Sequence, residues 1–199
     1  MLPGHTANVV FILVTRKALR VVCVTATIWH RQKIISEWLY LRRNLNYCIM
    51  GKLVVENTIS IHAPIDKVWD TLVNPEETKK YMFGCETVSD WKPGSPLLWR
   101  ANYQGKEMVF VKGNIIAIQP PVLLTYTVID PNANMPDIPD NYLNVYYRLS
   151  EQDGITTLTV SQDGFEKAAD GEKRYNDVYN KGEGWNPILV EIKKVAEAG

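Results

Sequence analysis

The chain has 199 residues, of which 46% are apolar and 22% charged, proportions of an ordinary globular protein with one sizeable core and not of a disordered or fibrous chain. Its zero formal charge hides an asymmetry: residues 1–50 carry seven Lys or Arg and one acid, Glu37, whereas residues 51–199 carry fifteen basic and twenty-one acidic residues. An excess of about six negative charges argues against a nucleic-acid surface on the larger part, and three widely spaced cysteines, Cys23, Cys48 and Cys85, suggest no disulfide framework and fit a reducing, cytoplasmic setting.

In chain order, VVFILV at 9–14 is apolar, but Arg16, Lys17 and Arg20 interrupt it before VVCV at 21–24. No apolar run approaches the ~20 residues that cross a bilayer, and the basic residues follow the first apolar run where a secretory signal has them before it. Residues 1–49 therefore read as a basic extension outside the functional fold, with a membrane-surface or targeting segment and a peripheral helix or hairpin as alternatives; residues 50–199 read as the functional domain. The alternation of Leu53, Val55, Ile59 and Ile61 predicts a first strand. Pro64 at a helix start, with Ile65, Val68, Trp69 and Leu72 on one face, predicts a short helix, and Asn74-Pro75 with Glu77 predicts a second through a capping-box-like start, with Tyr81, Met82 and Phe83 as bulk to bury.

A Pro-Gly turn at 93–94 then leads into a strand carrying Leu97 and Trp99, and 107–121 and 122–129 follow as strands, with Gly113 at a bulge or bend. The stretch DPNANMPDIPDN at 130–141 predicts an exposed loop crossing the mouth of a cavity. Val145, Tyr147 and Leu149, the Asp153-Gly154 turn, and Leu158 and Val160 form a hairpin. Trp185, Ile188, Leu189, Ile192, Val195 and Ala196 mark the buried face of a final helix, whose earlier turns the piece 171–184 would supply. Short turns impose antiparallel neighbours. The predicted fold is thus α+β: a curved antiparallel sheet of about six to seven strands around the last helix, with the two short helices plugging one end and a cavity between sheet and helix.

Within 50–199, His62 is the lone histidine and no metal-ligand spacing occurs, so no metal or cofactor is expected. His62 reads as a capping or surface residue, Cys85 as a buried or half-buried thiol, and the isolated glycines form no phosphate-binding loop.

The segments IHAPIDKVWDTLVNPEETKKYM and DWKPGSPLLW, the G-x-I-x-x-I-x-P-P-x-x-L-x-Y pattern from Gly113 to Tyr126, then GITTLTVSQ and GWNPILVEIKKV together resemble the SRPBCC or START-like (Bet v 1-like) superfamily. The branch resembled is that of the C-terminal domain of the activator of Hsp90 ATPase, over roughly residues 53–198. The resemblance implies a helix-grip fold with an internal hydrophobic cavity. Lipid carriers, cyclase-like enzymes and chaperone cofactors share that fold, so it selects no function by itself.

The cavity candidates are Trp69, Trp99, Tyr103, Phe110, Tyr126, Tyr147 and Trp185, each of which also suits plain core packing. Tyr103, Tyr126 and Tyr147 are expected to point hydroxyls into the cavity, closed by Trp185 and the 130–141 loop. Three functions follow: a binding module for a small apolar or amphipathic molecule; a chaperone-cofactor or stress-response interaction domain; or a cyclase-like or hydrolase-like enzyme using those tyrosines and an inward-facing Glu107. With no nucleophile-base pair or metal set in the sequence, the binding module is favoured over chemistry.

Overall fold

The computed structural model describes residues 7–15, 18–26 and 52–198. The chain divides into two compact units, Met1–Gly51 and Lys52–Gly199. In the first, β1 (Ala7–Thr15) and β2 (Ala18–Ala26) pair antiparallel from Ala7 opposite Ala26 to Thr15 opposite Ala18. The expectation that 1–49 stands outside the functional fold rests largely on residues outside the described ones.

In the second unit the order is β3 (Val55–Ile61), α1 (Ile65–Val73), α2 (Pro75–Tyr81), β4 (Glu86–Ser89), β5 (Pro96–Tyr103), β6 (Lys106–Gln119), β7 (Leu123–Val128), β8 (Leu143–Gln152), β9 (Ile155–Asp163), α3 (Gly171–Tyr179) and α4 (Asn186–Glu197). The seven strands make one antiparallel sheet in the order β3-β9-β8-β7-β6-β5-β4. Strands β3 and β4 are its two edges, and α1 and α2 connect one edge to the other. Leu189, Ile192 and Ala196 of α4 are buried against Ile61 of β3, Val68 and Leu72 of α1, Tyr81 of α2 and the inward residues Val145, Tyr147 and Leu158 of the sheet. This is the predicted helix-grip arrangement. Burial of a side chain such as Leu189 or Ile192 stabilises it by roughly 1.5–3 kcal/mol.

Local details depart from the sequence reading in instructive ways. Pro64 is the N-cap of α1 and not its first helical residue, a one-residue difference typical of helix ends. Asn74 ends α1 and caps α2, its side chain accepting from the Glu76 amide at 3.0 Å. The reciprocal half of a capping box does not form, because the Glu77 carboxylate takes the Lys80 ammonium at 2.7 Å instead. Tyr81 is buried as expected, but Phe83 is 88% exposed: α2 stops at Tyr81 and the chain turns through left-handed conformations at Phe83 and Gly84, which swings the phenyl ring outward.

The bulge near Gly113 lies slightly further on, where Ile115 and Ala117 pair with Tyr126 and Thr125 and Ile116 is the extra residue. Gly113 answers a different need. A Cβ there would collide with the carbonyl oxygen of Thr127. The piece 171–184 does not prolong the last helix either. Helix α3 ends at Tyr179, and Asn180, Lys181 and Gly182 all take positive φ before α4 begins.

Candidate functional site

The inner face of β5 to β9, the turn after α2 and the start of α4 enclose a cavity of about 490 Å³. Its walls are apolar and largely aromatic. Trp99 and Ala101 come from β5, Phe110 and Val111 from β6, Tyr126 and Val128 from β7, Val145 from β8, and Trp185 from the turn before α4. Alternation along the strands aims most of these inward. Phe110 arrives differently: Trp99 pairs with Val111 and Arg100 with Val109, so Phe110 is the unpaired residue of a β-bulge, and the extra residue re-aims its ring.

Met82, Phe83 and Cys85 of the α2–β4 turn form one side of the mouth, with Asn102 and Tyr103 at the end of β5 on the other. Tyr103 is 54% exposed and meets Phe110 edge-on, with ring centroids 6.4 Å apart. Among the described residues that line the cavity, none is charged.

Five of the seven predicted residues, Trp99, Tyr103, Phe110, Tyr126 and Trp185, are on the cavity wall. Two are not. Trp69 packs against the core from α1, and Tyr147, 1% exposed, lies behind Tyr126, whose hydroxyl donates to the Tyr147 hydroxyl at 3.1 Å. The three tyrosines therefore do not converge: Tyr103 sits at the mouth, Tyr126 on the wall and Tyr147 in the core.

Burial pushes the Tyr147 phenol up to about 12 and the Tyr126 phenol well above its ordinary value, with the neighbouring tyrosine adding to the second effect. A phenol that resists ionisation to that degree is a poor general base near neutrality. Burial likewise raises the Cys85 thiol, which keeps it from the reactive thiolate form. Glu107 faces away from the cavity: its side chain is exposed and accepts from Arg100 Nη1 at 3.2 Å, while Arg100 Nε reaches Glu86 at 2.8 Å.

The 130–141 loop does not cross the mouth. Asn141 anchors it, donating through Nδ2 to the Pro136 carbonyl at 2.7 Å and accepting at Oδ1 from the Ala169 amide at 2.8 Å. Those bonds hold the loop against the segment leading into α3. His62, at the end of β3, is exposed and meets Glu197 of α4 through its backbone amide at 2.6 Å and its ring Nδ1 at 3.2 Å, so it ties helix to strand outside the cavity.

One wall residue escaped the sequence reading. Gln162 of β9 is 5% exposed, lines the cavity and has no side-chain hydrogen bond among the described residues. The signal was present: Gln162 continues the inward parity of Leu158 and Val160, a polar residue on an otherwise apolar face.

The family described as activator of Hsp90 ATPase homolog 1-like protein matches residues 62–197. The chain is 35% identical to ChR145 from Cytophaga hutchinsonii, over 75% of this chain and 97% of that one, with a TM-score of 0.58. Ms6760 from Mycobacterium smegmatis is 20% identical over 74% and 93% of the two chains (TM-score 0.55), and CalU16 from Micromonospora echinospora 16% identical over 97% and 87% (TM-score 0.53); these two share the fold. No curated protein matches the chain.

Proposed function

Since the chain belongs to the activator of Hsp90 ATPase homolog 1-like family and its sheet encloses an aromatic cavity without a charged wall residue, we propose that it is a binding module. It holds a small, uncharged apolar or amphipathic molecule. The observation that carries this reading is the cavity itself. Its volume of about 490 Å³ is within the ~300–1,000 Å³ of small-molecule sites, and apolar walls with few polar groups are what such sites share. The proposal includes a cytoplasmic setting, which the three widely spaced cysteines support; among the described residues no helix is long and apolar enough to cross a membrane.

Native mass spectrometry of freshly purified protein against a panel of lipids and neutral aromatics tests this. The wild type is expected to retain a ligand that Ala101→Phe, which fills the cavity from β5, loses while keeping its melting temperature. Equal retention by both proteins would put the ligand elsewhere and end the proposal.

A chaperone-cofactor role is the second reading. It draws on the family description and on one feature of the surface: Phe83 and Tyr103 present exposed aromatic rings at the cavity mouth, of the kind enriched where proteins meet. An Hsp90-type ATPase assayed with and without the protein is expected to respond to the wild type and less to Phe83→Ala. No response to the wild type removes this role.

A further inference from the structure

Depth separates one polar group of the cavity wall from the others. Both lips of the mouth belong to one end of the sheet: Met82, Phe83 and Cys85 lead into the edge strand β4, and Asn102 and Tyr103 close β5 beside it. Gln162 is on β9, four strands from β5, a separation of about 19 Å measured along the sheet. Register fixes its surroundings, because Tyr126, Val145 and Gln162 are successive cross-strand partners and all three line the cavity. Gln162 is buried and makes no side-chain hydrogen bond among the described residues. The unpartnered side-chain atoms that are wholly shielded there are Tyr81 Oη and Trp185 Nε1. The Gln162 amide is not one of them, so the surface it keeps, on an inward residue of the wall, opens to the cavity.

The remaining polar groups of the wall differ in one respect or another. Asn102 and Tyr103 are exposed and Cys85 is half-buried, all at the mouth, where water can serve them. The Trp99 indole only donates and stands on β5, the strand of the lip, while the Tyr126 hydroxyl is already spent on Tyr147. Gln162 combines depth, the lack of a partner and the capacity both to donate and to accept.

Resting on the binding reading above, we propose that Gln162 selects an uncharged ligand that carries a hydroxyl on its leading end. The hydroxyl donates to the Gln162 amide oxygen or accepts from its N–H, and the apolar body lies over Val145 and Tyr126 toward the mouth. A purely apolar ligand takes the amide out of water and returns nothing, which is costly for a buried polar group. A carboxylate meets the amide N–H, but among the described wall residues no charged group compensates its desolvation. A larger polar group brings more donors and acceptors than one amide can satisfy between apolar walls; a hydroxyl brings the fewest. The site thus discriminates by what it leaves unpaired, the mechanism that gives hydrogen-bonding sites their selectivity.

The test uses three probes with one naphthalene body, bearing a hydroxymethyl, an ethyl or a carboxylate group, titrated calorimetrically into the full chain; hydroxymethyl and ethyl have nearly the same shape. The alcohol is expected to bind about tenfold more tightly than either other probe, and Gln162→Met should lower its advantage over ethylnaphthalene by roughly tenfold, the worth of one hydrogen bond. Equal binding of the alcohol and the hydrocarbon, or a preference for the hydrocarbon, overturns the hydroxyl site and leaves the binding module standing. So does a preference that survives Gln162→Met but is lost in Asn102→Ala or Trp99→Phe, which would put the polar contact at the mouth. No binding of any probe to the folded wild type up to its solubility limit overturns both readings. Should Gln162→Met fail to fold, the side-chain N–H signals of Gln162 in the wild type decide: they shift with the alcohol, or the site is overturned.

Discussion

Removing a hydroxyl from Tyr81 and from Tyr147 is the same chemical change at two core positions, and the structure assigns it different consequences. Tyr147 accepts from Tyr126 at 3.1 Å, whereas the Tyr81 hydroxyl, on a residue 3% exposed, has no partner. Tyr147→Phe leaves the Tyr126 hydroxyl buried without an acceptor, at a cost of about 1–3 kcal/mol. For a domain of this size about 2 kcal/mol corresponds to a fall of roughly 4–8 °C in Tm. Tyr81→Phe deletes an unsatisfied polar atom and almost no volume, so its stability should stay level or rise by about 1 kcal/mol. Replacing Tyr126 and Tyr147 together removes both ends of the bond, and should cost less than Tyr147→Phe alone. Urea unfolding followed by circular dichroism measures all of these, with a constant m-value certifying that the native and denatured states remain comparable. A loss in Tyr81→Phe equal to that in Tyr147→Phe refutes the reasoning, because it means that the Tyr81 hydroxyl is paired.

The raised Tyr147 phenol also sets an alkaline limit. The unfolded chain ionises near pH 10 and the folded one at about 12, so this contribution is fully present below pH 10 and lost as pH rises to 12, up to about 3 kcal/mol, with a shallower decline in Tyr147→Phe by alkaline urea titration. At the acid end, burial favours the neutral form of Asp163, but Lys52 and Asn144 outweigh it and hold its pKa below the usual range. Its stabilisation is present above the unfolded pKa and fades as pH falls through the folded value; Asp163→Asn should cost about 1–2 kcal/mol at pH 7, and denaturation curves of the two proteins should converge below pH 4. Gly113→Ala forces a Cβ onto the Thr127 backbone and should cost about 3 kcal/mol or more; a thermal melt unchanged from wild type would show that β6 and β7 are not so close.

The parts of the fold read correctly are those where period and burial coincide. The β8–β9 hairpin alternates cleanly, and the α4 stripe repeats at helical spacing, so Val145, Tyr147, Leu158, Leu189 and Ile192 all reach the core. Strand β4 leaves no signal in the sequence, because its four residues, Glu86 to Ser89, show no apolar alternation; Thr87 is its one buried residue, with its amide bonded to Thr78 Oγ1 at 3.1 Å. Phe83 sits in an apolar run whose composition cannot register that the backbone turns left-handed there and puts the ring outside. The destination of the 130–141 loop is not legible in its sequence, because it depends on Asn141 Oδ1 accepting from the Ala169 amide, a tertiary bond with no local trace. At the site, single strands disclosed the inward aromatics Trp99 and Tyr126, but not that Tyr147 lies behind Tyr126 or that a bulge aims Phe110. Those depend on pairing between strands.

The central claim is that the cavity is a binding site, and the indole N–H signals of the tryptophans test it most directly. In a two-dimensional nitrogen–proton spectrum, adding a small neutral aromatic probe such as ethylnaphthalene should shift the Trp99 and Trp185 indole signals, which belong to the cavity wall, and leave those of Trp69 and Trp91, which pack on the core outside it, in place. Unmoved Trp99 and Trp185 signals at saturating probe, or shifts at Trp69 and Trp91 of the same size, would contradict the account.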